Sequence, residues 1–214
     1  PGTPVGEQPK HPVLSARVAD ARGATALSGV ISTETHWLLD GHRTKNGHAL
    51  VPGTGYLELA RAALRAYGER GPFEIEDLFF IRPLAVADDA RREIRVTLTP
   101  TPRGYAFEVR GEVDLDGRRG WEIHAQAHLA LRAPARPTAL DPVALDRPCA
   151  QRTLTPDPAG IVTPQERHLR FGPRWRVLRS GGFGAGEAFA RLALPDAFRG
   201  EVQDYGLHPA LLDI

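Results

Sequence analysis

Cysteine is nearly absent. The 214-residue sequence holds one, Cys149, which excludes an internal disulfide and any cysteine-based zinc site. It sits in Asp146-Arg147-Pro148-Cys149 with no activating neighbour and reads as a packed or idle thiol. Lysine is almost as scarce: Lys10 and Lys45 are the only two, so arginine carries nearly all the positive charge. Alongside abundant Ala, Gly and Pro, this looks like coding bias rather than a binding device. The net charge of +1 provides no global field for nucleic acid. No apolar run approaches the ~20 residues that cross a bilayer. Residues 1–10 show neither the charged nor the apolar region of a secretory signal. A cytoplasmic setting, without membrane or nucleic-acid partners, is expected.

What is present suits an ordinary globular protein, with 42% hydrophobic and 25% charged residues. The length allows one large domain or two small ones. Residues 1–10 read as a disordered lead-in and 11–133 as a first unit. Residues 134–152 form a proline-rich linker without periodicity, and 153–214 a second unit.

In the first unit, residues 26–33 read as a strand and 36–42 as a short turn closing into a loop, punctuated by Gly41 and Gly47. The strongest helix runs over 54–67, with Thr54 as N-cap and Gly68 and Gly71 as the stop. Glu58, Arg61 and Arg65 make one narrow polar stripe on it. The rest is apolar, so the helix must be mostly buried. Strands follow. Ile94, Val96 and Leu98 alternate with Glu93, Arg95 and Thr97, and Tyr105, Phe107 and Val109 with Glu108 and Arg110. Trp121, Ile123, Ala125, Ala127 and Leu129 alternate with Glu122, His124, Gln126 and His128. Each predicts a half-buried antiparallel strand, and Asp114-Leu115-Asp116-Gly117 predicts a hairpin turn. On this reading His124 and His128 face outward, and four residues of strand span roughly 13 Å, too far for one metal ion. A buried helix followed by a long antiparallel sheet is the hot-dog arrangement, an α+β class.

The second unit predicts a short helix over 163–170 and apolar segments near 175–178 and 189–194. Between them, the Gly-rich stretch 181–186 reads as a hairpin turn. It lacks the Lys-Ser/Thr ending of a phosphate loop.

Two segments stand out: His42-Arg43-Thr44-Lys45-Asn46-Gly47-His48, running through Pro52-Gly53-Thr54 into the helix, and Tyr205-Gly206-Leu207-His208-Pro209-Ala210-Leu211-Leu212-Asp213. The chain resembles the dehydratase domain of modular polyketide synthases. That family carries a histidine, a glycine and a proline leading into its hot-dog helix, and an H-P-A-L-L-D segment whose aspartate completes a His/Asp pair. The second segment matches letter for letter. Phe171-Gly172-Pro173-Arg174-Trp175 resembles the family's Y-G-P-x-F loop, and His11-Pro12-Val13-Leu14 its H-P-L-L entry. There are two departures: Gly47 and Pro52 lie five and ten residues after His42, one more than usual, and Phe171 replaces the loop tyrosine. The resemblance implies a double hot-dog fold, with the second hot dog incomplete at Ile214.

Removing water from a 3-hydroxyacyl thioester requires taking a weakly acidic α-proton and protonating the departing β-hydroxyl. A histidine of ordinary pKa roughly 6.5 can be the base, and a carboxylic acid raised by burial can be the acid. A helix N-terminus offers unpaired N–H groups to the developing enolate oxygen. Resemblance and chemistry together imply His42 as base and Asp213 as acid, with Gly47 and the helix start at Pro52 and Gly53 receiving the thioester carbonyl. Phe171, Gly172, Pro173, Leu207, His208 and Pro209 are expected to line the substrate site. No metal or organic cofactor is implied, the substrate riding on the phosphopantetheine arm of an acyl carrier protein.

The expected partners are that carrier, docking on Arg167, Arg170, Arg174, Arg176 and Arg179, other synthase domains in cis, and a second copy in a homodimer. Two other functions stay open on the same residues. One is double-bond isomerisation or pyran-forming ring closure. The other is a non-catalytic scaffold that binds acyl chains or partners inside the megasynthase.

Overall fold

The structure, a computed structural model, describes residues 9–19, 25–132, 139, 141, 143–144, 149–154 and 163–213. The lead-in expected over 1–10 and the linker over 134–152 fall largely outside these residues. In chain order the elements are β1 (Ala16–Ala19), β2 (Thr25–Ile31), α1 (Trp37–Asp40), β3 (His42–Thr44), β4 (Ala49–Leu50), α2 (Gly53–Ala66), β5 (Glu74–Phe80) and β6 (Ala85–Val86). After them come β7 (Arg92–Thr101), β8 (Gly104–Leu115), β9 (Arg118–Ala130), β10 (Arg152–Leu154), β11 (Leu169–Phe171), β12 (Leu178–Phe183), β13 (Ala188–Leu192) and α3 (Pro209–Leu212).

A six-stranded antiparallel sheet, ordered β1-β2-β7-β8-β9-β5, packs its inner face on α2. The alternation read from the sequence sets that face. Val96 pairs with Val109 and Leu98 with Phe107, and all four are buried against Leu59, Ala63 and Leu64 of the helix. Truncating any of these leucines to alanine costs about 2–5 kcal/mol in a typical core. The β8–β9 hairpin turns where expected, with Asp116 and Gly117 both at positive φ, the geometry that matches strand twist.

Several expectations need correction. The helix begins at Gly53 with Pro52 as its N-cap, and the Thr54 hydroxyl instead donates to the carbonyl of Pro209 at 3.1 Å. Glu58, on the narrow polar stripe, is 1% exposed. His124 points inward and is fully buried, because the β8–β9 register slips by one between Val109 and Arg110, making His124 the extra residue of a bulge. His42 opens strand β3 rather than lying in a loop, after a single helical turn. Residues 163–170 do not continue as a helix. A Thr163/Glu166 capping box starts one 3-10 turn at Pro164–Arg167, and the chain then joins β3 as strand β11. Gly181 and Gly182 lie within β12, where a Cβ on Gly182 would come 2.6 Å from the Cys149 carbonyl oxygen. The turn itself falls at 184–187, closed by the Gly184 N–H to the Glu187 carbonyl.

A second sheet, ordered β11-β3-β4-β6, joins the two halves of the chain, and a third, β10-β12-β13, belongs to the second half. In the β11–β3 register Phe171 stands opposite His42. That pairing positions the site.

Candidate active site

His42 is buried where β3 meets β11. Its Nδ1 lies 3.0 Å from the carbonyl oxygen of Leu50. A carbonyl only accepts, so Nδ1 carries a hydrogen, and in the neutral ring Nε2 is then the nitrogen with the free lone pair. That Nε2 stands 3.6 Å from Oδ2 of Asp213. Two residues from opposite halves of the sequence are therefore brought together.

Asp213 follows directly on α3, and three ties hold the segment before it. The Thr54 hydroxyl binds the Pro209 carbonyl. The Glu58 carboxylate accepts the N–H groups of Gly206 at 3.2 Å and Leu207 at 2.7 Å. His208, buried, stacks on Trp37 with ring centroids 5.2 Å apart. Gln165 adds a fourth, donating to the backbone carbonyl of Asp213 at 3.0 Å. Burial raises the Asp213 carboxyl above its ordinary value, against the opposing pull of the Trp175 N–H, His42 and the Thr54 hydroxyl. Glu58 goes the other way. Burial pushes it up, yet Arg61, His11 and the Leu207 N–H outweigh burial and hold it at about 2.

The aromatic wall of the site comes from the loop after β11. Phe171 and Trp175 stack nearly parallel, 5.8 Å apart at 3°, and the His42 ring lies 5.6 Å from the first and 5.8 Å from the second. Gly172 fastens this loop beside His42: its N–H donates to the Gly41 carbonyl at 2.8 Å, and a Cβ there would sit 2.8 Å from the Gly41 Cα. Pro173 begins a 3-10 turn and is exposed.

Gly47 does not fit the role expected of it. Its N–H donates to the Thr44 carbonyl at 2.9 Å, closing the β3–β4 turn, and so is not free for a thioester oxygen. At the helix start the Gly55 N–H is bonded to the Pro52 carbonyl, and among the described residues the Gly53 and Thr54 N–H groups have no partner. Two of the five arginines are taken up in ion pairs. Arg174 is bidentate on Glu201, and Arg176 is paired with Glu166. Arg167, Arg170 and Arg179 stay exposed.

Sequence reasoning missed two contributors. Trp175 donates its indole N–H to Asp213 Oδ2 at 2.8 Å. The signal was a tryptophan where the resembling loop has phenylalanine, an aromatic that adds a donor. Glu58 was visible as the lone acid of an apolar helix. Among the described residues no group of three or more His, Cys, Asp or Glu is placed to hold a metal ion, and no helix is long and apolar enough to cross a membrane.

Known proteins share this arrangement of chain. The family described as "Polyketide synthase dehydratase domain" matches residues 11–112, and that described as "Polyketide synthase dehydratase N-terminal domain" matches residues 162–214. The spectinabilin polyketide synthase system protein NorA' of Streptomyces orinoci is 33% identical over 214 residues, covering 95% of this chain and 6% of that protein. The chain thus spans only a small fraction of the length of such curated relatives. The solved dehydratase domain of a trans-AT polyketide synthase from Brevibacillus brevis superposes with a TM-score of 0.80 at 24% identity, over 95% of this chain and 71% of that one. That likeness shows the double hot-dog fold. A structure from work on dehydratase substrate selection in the borrelidin and fluvirucin polyketide synthases is 28% identical, with a TM-score of 0.75 over 97% of this chain and 71% of its own. Because both halves match in order, and sequence and fold agree over the same residues, this chain belongs to the polyketide synthase dehydratase domain family.

Proposed function

We propose that this chain removes water from a 3-hydroxyacyl thioester carried by an acyl carrier protein, within a larger synthase. The observation that supports it most is the facing of His42 Nε2 and Asp213 Oδ2 at 3.6 Å, with the His42 tautomer fixed by Leu50. Nε2 takes the α-proton. The electrons of that C–H bond become the Cα=Cβ double bond as the Cβ–O bond breaks, and Asp213 gives its proton to the departing oxygen, which leaves as water. Net transfer of a proton from imidazolium to carboxylate resets the pair. The thioester oxygen, where enolate charge builds, is received by the Gly53 and Thr54 N–H groups, donors worth a few kcal/mol each to such a transition state. A carboxyl raised by burial is the right partner, because the acid must hold its proton at neutral pH.

The test is incubation with a 3-hydroxyacyl pantetheine thioester and mass detection of the enoyl product. His42→Ala is expected to lower the rate by about 10²–10⁴-fold. Undiminished water loss in that variant would refute the mechanism.

A further inference from the structure

We infer that Trp175 is the positioning residue of the acid: it leaves Oδ1 of Asp213 as the oxygen that carries and delivers the proton, and it takes up the carboxylate charge on Oδ2 once the proton has gone. The inference rests on the dehydratase reading. Its ground is the bond from the Trp175 indole N–H to Asp213 Oδ2, at 2.8 Å, on the same oxygen that faces His42 Nε2.

An indole N–H only donates. In a neutral carboxyl the carbonyl-type oxygen is the better acceptor, so a permanent donor on Oδ2 places the acid hydrogen on Oδ1. The oxygen nearest the base is thereby the one without the proton, which keeps acid and base from neutralising each other before substrate arrives. When Oδ1 delivers its hydrogen, the bond on Oδ2 changes from neutral to charge-assisted and strengthens about twofold. The gain appears as the reaction proceeds and not on binding, which is the condition for raising turnover.

The donor cannot swing away. Trp175 is 2% exposed. It stacks on Phe171, meets Trp37 edge-on with centroids 5.4 Å apart, and donates its backbone N–H to the Gly172 carbonyl at 3.1 Å. Behind it a Cβ on Gly41 would come 2.7 Å from its ring, so residue 41 is glycine where the indole needs the space. Among the described residues, the groups facing Asp213 are His42 from β3, the Thr54 hydroxyl from the start of α2, the Trp175 indole, and the Gln165 amide on its backbone carbonyl. Of these only His42 bears an ionisable side chain, so a change at residue 175 is read on Asp213 against one neighbour.

The experiment uses the full polypeptide that carries this domain, with Trp175→Phe and with 3-benzothienylalanine at position 175, which keeps the indole shape and puts sulfur in place of N–H. Expected are a kcat lower by about ten- to a hundredfold with KM little changed, matching loss of one charged hydrogen bond, and an alkaline limb of the pH profile moved to higher pH. Packing alone would be served by the benzothienyl side chain, which keeps the indole volume, and in that protein would move neither; the phenylalanine variant also opens a cavity. In parallel, ¹³C NMR of carboxyl-labelled protein, with Asp213 assigned by its asparagine variant, reads the Asp213 midpoint without turnover; it should rise in both substituted proteins. A midpoint or a kcat that stays put in the benzothienyl protein overturns the inference. Failure of the dehydratase reading looks different: the unsubstituted protein releases no water from any thioester, while the midpoint still reports whether Trp175 acts on Asp213.

Discussion

Glu58→Gln keeps nearly the same side-chain volume while removing a charge from the interior, and the structure allows its effect to be worked out. The carboxylate is 1% exposed and accepts from Arg61 at 2.6 and 2.8 Å, from Gly206 at 3.2 Å and from Leu207 at 2.7 Å, with His11 Nε2 at 3.3 Å. Its pKa falls from the ordinary 4.5 to about 2. At about 1.4 kcal/mol per unit, the ionised form contributes about 3 kcal/mol to stability. Because the folded value is depressed, that contribution is complete above about pH 4.5 and is lost as pH falls through 4.5 toward 2. Glutamine forfeits it and turns an amide N–H toward donors, so the variant should unfold about 3 kcal/mol more easily at pH 7, a large part of a usual 5–15 kcal/mol. Urea titrations of both proteins from pH 7 to pH 3 measure this: the gap should be widest at neutral pH and narrow toward pH 3. Equal urea midpoints at pH 7, or parallel pH dependence in the two proteins, would refute the reasoning.

Three further outcomes are expected. Gly172→Ala drives a Cβ to 2.8 Å from the Gly41 backbone, where nothing flexible can yield; it should lower stability by about 1–3 kcal/mol, read by thermal melting, and depress turnover by shifting the loop beside His42. Asp213→Asn removes a carboxyl whose native pKa is raised by burial, so its penalty on stability grows as pH climbs through the carboxylate range. The variant should therefore resist urea better than the parent at pH 7 while losing activity by about 10²-fold or more. Charge reversal at exposed Arg167, Arg170 and Arg179 should cut kcat/KM on carrier-bound substrate by about tenfold at low salt and spare the pantetheine thioester; an equal loss on both would point to the fold instead of docking.

The hot-dog helix and its sheet were legible because burial imposes a period, and α2, β7 and β8 obey it without interruption. The pair His42 and Asp213 was legible from short motifs, since a strand start and the end of an H-P-A-L-L-D segment each keep their own local context. What escaped depends on contacts between distant residues. The bulge at His124 leaves the apolar alternation of its strand intact in the sequence, so nothing local marks the slip. The fate of the Gly47 N–H depends on how the β3–β4 turn closes. Arg174 and Arg176 could be separated from their neighbours only by knowing that Glu201 and Glu166 fold against them. For Glu58, helix spacing reveals which face it shares with Arg61 and Arg65 but not what lies over that face.

The pairing of β3 with β11 means that His42 is seated on a strand whose neighbour is contributed from the far side of the chain's midpoint. Chimeras that splice one dehydratase half to another between residues 132 and 163 would seat a resident histidine against a foreign edge. Their success should track how well the incoming Phe171-Gly172 equivalent nests on Gly41, more than overall relatedness. Exchanging β3 and β11 as a matched set is then the sounder way to recombine these domains.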